Sequence, residues 1–224
     1  MLLGIETSTK NCSIALFKDG LQLGAFDERG DRFVHGERLH VMIQELLNRH
    51  AAAPKDLTGI IVGEGPGSYT GLRIGTSTAK GLAFALNIPM HAVPTLGCFD
   101  FSSFESNYCI SVLDARRDEV FAQVWQNASG GFEASGPIEA VIVDAQSWDH
   151  LRGESVTVIG DCAEKMAELL SPLPAHWTIA PTAYPSASAM CKFLGPNLSP
   201  VDTAYFEPFY LKDFVAEKSK KKYL

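Results

Sequence analysis

Residues Gly63–Gly75, GEGPGSYTGLRIG, connect a predicted strand to a predicted helix. The apolar run 59–62 (GIIV) before them predicts a buried strand, and the proline-free segment 76–86 after them predicts a helix. A glycine-rich loop at this junction allows another backbone to approach closely, or presents N–H groups to an anion. It is not a phosphate-binding P-loop, because Leu72 and Arg73 follow Gly71 where that motif needs lysine and then serine or threonine.

The predicted helix carries a strip of small side chains. Its members recur every four residues and therefore lie along one side of the helix: Gly71, Gly75, Ala79 and Ala83. Such a strip lets another helix or a strand pack closely against it. The residues leave open whether the neighbour belongs to the same chain or to another subunit.

Composition and charge limit the function classes. The chain has 224 residues, 46% of them hydrophobic, and could form one large domain or two small ones. The start, MLLGIETSTK, lacks the basic region of a signal peptide, and no apolar run approaches the roughly 18 residues of a membrane helix. We therefore expect a cytoplasmic protein with no membrane partner. The net charge of −7 argues against a chain that binds nucleic acid by itself. The lysine-rich stretch 218–222 predicts a solvated terminus.

The candidate metal ligands are scattered along the chain. The six histidines include no pair four residues apart, the spacing that places two ligands on one helix face. His35 and His40 are five residues apart, which separates them by about 140° around a helix. The five cysteines contain no C-x-x-C pair. We expect no metal site, which argues against a metalloprotease, the least favoured alternative function.

The two halves of the chain repeat one order of elements. The predicted strands cover residues 2–7, 12–17 and 21–26 in the first half and 109–115 and 120–125 in the second. Asp19-Gly20 predicts a two-residue hairpin, and 127–131 leads into a further extended segment. Aligning the two halves on this repeated order places Glu6 on Asp114 and residues 13–17 on residues 121–125.

Helices are predicted between and after these strands. They cover residues 37–50, 72–86 and 95–103 in the first half and, more weakly, 162–170 and 186–194 in the second. We expect an α/β fold of two tandem lobes, each a mixed five-stranded sheet with flanking helices. The predicted domains are residues 1–104 and 105–224, with the boundary in the polar stretch 104–107, and the cleft between them is a natural ligand site. Residues 134–151 match no expected element.

The duplicated plan, with an acidic residue ending the first strand of each half, resembles the actin-like ATPase superfamily. Within that superfamily, three blocks are similar to the TsaB (YeaZ) family: LLGIETSTKNCSIALFKDG (2–20), GEGPGSYTGLRIGTSTAKGLAFAL (63–86) and LDARRDEVFAQVW (113–125). The resemblance implies RNase H-like lobes and a role in making threonylcarbamoyladenosine in tRNA. It also implies a non-catalytic subunit that binds the larger paralogue TsaD, which performs the transfer.

The family resemblance implies further partners and an interface. The ATPase TsaE joins the pair, the subunit forms a homodimer when alone, and tRNA is met only through the complex. The two helices of the first lobe, 37–50 and 72–86, are the implied contact surface. On them the candidate interface residues are Arg38, Val41, Tyr69, Leu72, Arg73 and Thr76. Arginine and tyrosine are common interface anchors.

The superfamily resemblance also implies a nucleotide site. In the actin-like plan the turns after the first strand of each lobe approach the phosphates, and here those turns hold Glu6, Thr7, Ser8, Asp114 and Arg116. Glu6 is one methylene longer than the usual aspartate, so we expect a weak or vestigial site. The structural alternative is that Glu6 and Asp114 accept hydrogen bonds from their own turns. Weak binding of ATP or ADP is left open, no other cofactor is expected, and a small actin-like ATPase or kinase is the alternative function.

Overall fold

The computed structural model describes residues 1–30 and 34–212. Its strands are β1 (Leu2–Glu6), β2 (Asn11–Lys18), β3 (Leu21–Arg29), β4 (Gly59–Gly63), β5 (Met90–Val93), β6 (Tyr108–Asp114), β7 (Glu119–Ala128), β8 (Gly131–Ala134), β9 (Glu139–Ile142), β10 (Val156–Gly160), β11 (Trp177–Ile179) and β12 (Pro200–Val201). The α-helices are α1 (His35–Arg49), α2 (Tyr69–Leu86) and α3 (Ala163–Leu169). Short 3₁₀ helices cover Pro54–Asp56, Thr95–Gly97, Asp149–Leu151 and Ala187–Phe193.

The strands form two mixed sheets, and each sheet with its helices is one lobe. The first sheet has the order β12-β5-β4-β1-β2-β3, with β1, β4 and β5 parallel and the β1–β2–β3 meander antiparallel. The second has the order β11-β10-β6-β7-β8, again with three parallel strands followed by a meander. Matching strands therefore hold matching places, which confirms the predicted α/β fold of two tandem lobes.

Each sheet has one strand more than the five expected. Strand β12 joins the edge of the first sheet beside β5, and β9 pairs with the first half of β7 in the second sheet. Strand β9 also accounts for part of the segment that matched no expected element. The predicted alignment of the second strands is off by one residue, because Ile5 pairs with Ile14 whereas Leu113 pairs with Phe121.

The hairpin and the helix start follow the local sequence signals. Asp19 and Gly20 both have positive φ angles, 51° and 79°, as a tight two-residue hairpin turn requires. Helix α2 begins three residues before the predicted start, because the Ser68 side chain accepts a hydrogen bond from the Gly71 N–H at 3.2 Å and caps the helix. It ends at Leu86, and the next residue, Asn87, adopts the left-handed conformation and caps the helix.

Two predicted helices are 3₁₀ helices instead, and the described part of the second lobe has no counterpart of α1. The predicted helix 95–103 stops after Gly97, because the Cys98 carbonyl accepts from the Ser186 N–H at 2.8 Å and the Phe99 carbonyl accepts from Lys192 at 2.9 Å. Those carbonyls are therefore unavailable to a helix. The predicted helix 186–194 is likewise a 3₁₀ helix.

The C-terminal part of the chain returns to the first lobe. In the 3₁₀ helix Ala187–Phe193, the Ala187 and Met190 side chains are fully buried in a cluster with Phe17 and Val93 of the first sheet. Strand β12 then adds to that sheet. The domain division at residue 104 stays a prediction, and this segment of the predicted second domain packs against the first sheet.

No helix in the described ranges is both long and apolar enough to cross a membrane. The lysine-rich stretch 218–222, for which we predicted a solvated terminus, lies outside the described residues. The cores are conventional, since each sheet buries its own apolar cluster.

Candidate functional site: the interlobe cleft and the outer face of the first lobe

A cleft of about 1070 Å³ lies where the two sheets meet. Its walls come from the β1–β2 turn, the loop before α2, the β6–β7 turn and the C-terminal residues 209–212. The carboxyl ends of parallel strands, where α/β proteins bind their ligands, point to this region. Among the predicted nucleotide-site residues, Ser8, Asp114 and Arg116 line the cleft, whereas Glu6 and Thr7 are buried and do not line it.

Glu6, at the end of β1, is completely buried. Its carboxylate accepts a hydrogen bond from the Ser8 N–H at 2.7 Å and one from the Thr95 hydroxyl at 3.2 Å. Burial is the main cause that raises the pKa of Glu6, and these hydrogen bonds oppose the rise. The residue at the end of β4 is Gly63, where a Cβ atom would overlap the Glu6 carboxylate. The geometry matches the structural alternative for Glu6, because both carboxylate oxygens accept hydrogen bonds from residues of the same chain.

The glycines of α2 allow the helix to pack directly on the β1–β2 turn. The Thr7 hydroxyl donates to the Gly71 carbonyl at 2.9 Å. A Cβ at Gly71 would overlap the Thr7 carbonyl oxygen, and a Cβ at Gly75 would overlap the Thr7 hydroxyl. Ala79 and Ala83 continue the strip into the core of the first lobe. The strip of small residues is therefore used for packing within the chain.

The loop before α2 closes over the next residue of the same turn. The Ser8 carbonyl accepts from the Ser68 N–H at 2.6 Å, and a Cβ at Gly67 would overlap Ser8. Ser8 itself is 2% exposed. The Gly65 and Ser68 N–H groups of the loop are thus already bonded to Thr95 and Ser8, which favours close packing over anion binding as the reason for the glycines.

The corresponding position of the second lobe is open. The Asp114 side chain is 48% exposed and binds Lys165, with Nζ 2.7 Å from Oδ1. The same oxygen accepts from the Arg116 N–H at 3.0 Å, and the Asp114 N–H donates to Asp161 at 2.8 Å. Burial, assisted by the charge of Asp114, raises the pKa of Asp161 to about 6. This wall of the cleft therefore contains a carboxyl that takes up a proton close to neutral pH.

The β6–β7 turn holds two arginines in an uncommon backbone conformation. Arg116 and Arg117 both have positive φ angles, 74° and 53°. Both are exposed and line the cleft. Non-glycine residues rarely adopt this conformation, and consecutive ones are found where the surrounding structure forces it. Here the Asp114 carboxylate, which binds the Arg116 N–H, fixes the turn.

The predicted interface residues separate into exposed and buried ones. On α1, Val41 is 41% exposed, and Arg38 is half-buried in an ion pair with Glu28 at 2.8 Å. On α2, Arg73 is exposed and Tyr69 is half-buried. Leu72 and Thr76 were predicted as surface contacts, but they are 1% and 5% exposed. The reason is that their side of α2 faces the lobe interior.

Sequence reasoning missed the most exposed apolar side chain on α2. Phe84 is 86% exposed, and it lies eleven residues after Arg73, which places both on one side of the helix. Together with the shallow groove lined by His40 and Ile74, these side chains form an outer surface, the α1–α2 face (His40, Val41, Arg73, Ile74, Ser77 and Phe84). The helical spacing of Arg73 and Phe84 was the signal that could have found it.

The described ranges contain no group of three His, Cys, Asp or Glu side chains that could hold a metal ion. His35 and His40 are divided between the inside and the outside of the lobe. His35 is buried and donates from Nε2 to the Thr9 carbonyl at 2.7 Å, while His40 is exposed on α1. Their different environments follow from the angle between them around the helix.

Comparison with known proteins gives concordant matches. A family model described as TsaD, tRNA N6-adenosine threonylcarbamoyltransferase, matches residues 33–206. The tRNA threonylcarbamoyladenosine biosynthesis protein TsaB of Escherichia coli is 35% identical over 163 residues, 70% of this chain and 70% of that protein. TsaB of Bacillus subtilis is 35% identical over 143 residues, 63% of this chain and 62% of that protein.

A solved structure extends the match over almost the whole chain. YeaZ from Pseudomonas aeruginosa superimposes with a TM-score of 0.79 at 27% identity, covering 94% of this chain and 99% of that one. The chain belongs to the TsaB (YeaZ) family. This confirms the resemblance carried by residues 2–20, 63–86 and 113–125. The chain is a homologue of the TsaB proteins of threonylcarbamoyladenosine biosynthesis.

Proposed function

We propose that this TsaB-family chain is a non-catalytic subunit that binds and activates a TsaD-type transferase, which makes threonylcarbamoyladenosine in tRNA. The α1–α2 face is the proposed binding surface, and the observation that carries this proposal is the 86% exposure of Phe84 on the side of α2 that also carries Arg73. Exposed aromatic and arginine side chains are typical interface anchors. The buried Glu6 supports a non-catalytic role, since its carboxylate bonds to its own chain.

The remaining partners follow from the same role. We propose that a TsaE-type ATPase joins the complex and that the free chain pairs with a second copy of itself through the same face. The chain meets tRNA only within the complex, because its net charge of −7 opposes binding of a phosphate backbone. We place this work in the cytoplasm, where tRNA is modified.

The binding experiment mixes this chain with the TsaD-type protein of the same cell in an analytical ultracentrifuge. We expect a one-to-one complex that Phe84→Asp weakens at least about tenfold, the loss typical of an interface anchor. Ile142→Asp is the matched control, because Ile142 is 75% exposed on β9 in the second lobe. Equal effects of the two substitutions would remove the α1–α2 face from the proposal, and absence of any complex would remove the function.

The activity experiment measures threonylcarbamoyladenosine formed by the transferase with and without this chain. We expect the transferase to need the chain and the chain alone to transfer nothing. A partner can do this by stabilising the competent conformation of the catalyst without touching the substrate. Transfer by the isolated chain would contradict the proposal.

We also propose that nucleotide binding in the cleft is at most weak. The first-lobe turn is closed by its own loop, and Asp114 is already paired with Lys165. Isothermal titration with MgATP should therefore give little heat, and Asp114→Asn should change it little. Tight, magnesium-dependent binding that is lost in Asp114→Asn would favour the alternative, a small actin-like ATPase or kinase.

A further inference from the structure

Arg73 is held by two tyrosines that come from distant parts of the chain. The Arg73 guanidinium carbon lies 4.1 Å from the centre of the Tyr69 ring, one helical turn earlier in α2. Its Nε–H donates to the Tyr210 hydroxyl at 3.2 Å. The two tyrosine rings are 5.0 Å apart and tilted by 40°. We call these three residues the Tyr–Arg–Tyr clamp.

Tyr210 reaches the clamp because residues 204–210, the C-terminal segment, run along α2. Lys80 donates to the carbonyls of Ala204 and Phe206, at 2.9 and 3.1 Å. Near the other end of the segment, the Phe209 N–H donates to the Glu64 carbonyl at 2.7 Å. The segment is thus bonded to the helix and to the loop before it. Tyr210 is a fixed part of the α2 surface.

The clamp leaves most of the Arg73 guanidinium available. Arginine has five N–H donors, and Arg73 uses its Nε–H on Tyr210. No described residue accepts a hydrogen bond from its two terminal nitrogens: Glu207 is close enough for its charge to act on Arg73 but forms no hydrogen bond with it, and Arg73 is exposed. A planar guanidinium with two free nitrogens binds a carboxylate through paired hydrogen bonds. The ligand chemistry that fits the clamp is therefore a carboxylate side chain.

We propose that the Tyr–Arg–Tyr clamp receives an aspartate or glutamate side chain of the transferase partner, and that Tyr210 is the residue that positions Arg73 for it. This inference rests on the proposed partner role. Arg73 belongs to the α1–α2 face, so the clamp extends that surface onto the C-terminal segment. Holding a long side chain in one orientation before binding reduces the entropy lost on association. A second copy of this chain is the other occupant that the test separates.

The experiment measures the affinity of the transferase partner for four variants of the full chain by analytical ultracentrifugation. We expect Arg73→Ala to weaken binding about 10- to 100-fold, as for an interface anchor. Tyr210→Ala should weaken it about 3- to 10-fold through the lost restraint on Arg73. In the double variant Tyr210→Ala should add nothing, because the two residues act through one contact. Tyr205→Ala is the control, since Tyr205 is 85% exposed in the same segment and forms no part of the clamp.

Salt and self-association complete the test. Raising the salt concentration should weaken the wild-type complex more than the Arg73→Ala complex, because the contact is an ion pair. Additive effects of the two substitutions, or equal losses in Tyr205→Ala and Tyr210→Ala, would overturn the clamp while the complex itself remains. A substitution that disrupts only the homodimer would assign the clamp to a second copy. No complex with the wild-type chain would instead overturn the proposed function.

Discussion

The two lobes share a strand order but treat the end of their first strand in opposite ways. In the first lobe Glu6 is completely buried beneath the loop before α2, whose glycines let it close over the turn. In the second lobe Asp114 is 48% exposed and paired with Lys165 at the cleft. Helix α2 has 18 residues, whereas the corresponding α3 has seven. Repetition of a sheet therefore does not repeat a site.

The difference gives the two lobes different surfaces. The first lobe uses its glycine-rich loop to fix a long helix, and the outer side of that helix carries Arg73 and Phe84. The second lobe has a short helix and leaves titratable groups at the cleft wall. The proposed partner surface thus lies on the first lobe, whereas Asp114, Asp161 and Lys165 of the cleft wall lie on the second.

The packing of α2 on the β1–β2 turn gives the largest expected effect. A Cβ at Gly71 overlaps the Thr7 carbonyl oxygen, a backbone atom that cannot move away cheaply. We expect Gly71→Ala to lower the free energy of unfolding by about 4 kcal/mol, as overpacking against backbone does. Urea unfolding measures this. Gly81→Ala, where no atom lies within 4 Å of the added Cβ, should instead raise it by about 0.5–1 kcal/mol.

Glu6→Gln tests whether the first-lobe acid is structural. Because burial raises the pKa of Glu6, the folded chain holds the proton more tightly than the unfolded chain. This contribution to stability is full below the ordinary value of 4.5 and is lost as the pH rises through the raised pKa. We expect the Glu6→Gln variant to become more stable relative to the wild type as the pH rises above 4.5, measured by urea unfolding at a series of pH values. If the wild type instead became more stable relative to the variant as the pH rises, the folded chain would stabilise Glu6 as a carboxylate.

Asp161→Asn is the matching test in the second lobe. Since burial raises the pKa of Asp161 to about 6, its contribution is full below the ordinary value of 3.8 and is lost as the pH rises through about 6. Relative to the wild type, the variant should become more stable by about 3 kcal/mol as the pH rises through this window, with no further change above pH 7. Asp118→Asn, at an exposed acid of the same lobe, is the control. A gain shared by both variants would show a general charge effect.

Lys165→Met should have the smallest effect. The Lys165–Asp114 pair is partly exposed, so its loss should lower the free energy of unfolding by about 0.5–1 kcal/mol, and less at high salt. Lys55→Met, in an exposed 3₁₀ turn, is the matched substitution. Comparison of both variants at low and high salt separates the ion pair from the general effect of removing a lysine.

Local signals predicted the elements that depend on local chemistry. The Asp19-Gly20 hairpin, the strand order of the repeats and the existence of α2 all follow from turn residues and apolar periodicity. The burial of Leu72 and Thr76 did not follow, because it depends on which side of α2 faces the sheet. The glycines at positions 71 and 75 contained that information, since the side that needs no Cβ is the side against the turn.

Contacts between distant segments could not be predicted from local patterns. The predicted helix 95–103 is interrupted because Ser186 and Lys192 bind its carbonyls. Tyr210 meets Arg73 only because the C-terminal segment follows α2. In each case the deciding partner is far away along the chain, and its own sequence predicts nothing about where it docks.

The return of residues 187–201 to the first sheet has a consequence for biosynthesis. Met190 fills the space beside Phe17, and β12 completes the sheet edge next to β5. A ribosome makes these residues only after the whole second sheet, so the nascent first lobe waits with an open edge and an exposed apolar surface. The strands of the second sheet all end by Ile179, so its strand order can be completed before β12 is made.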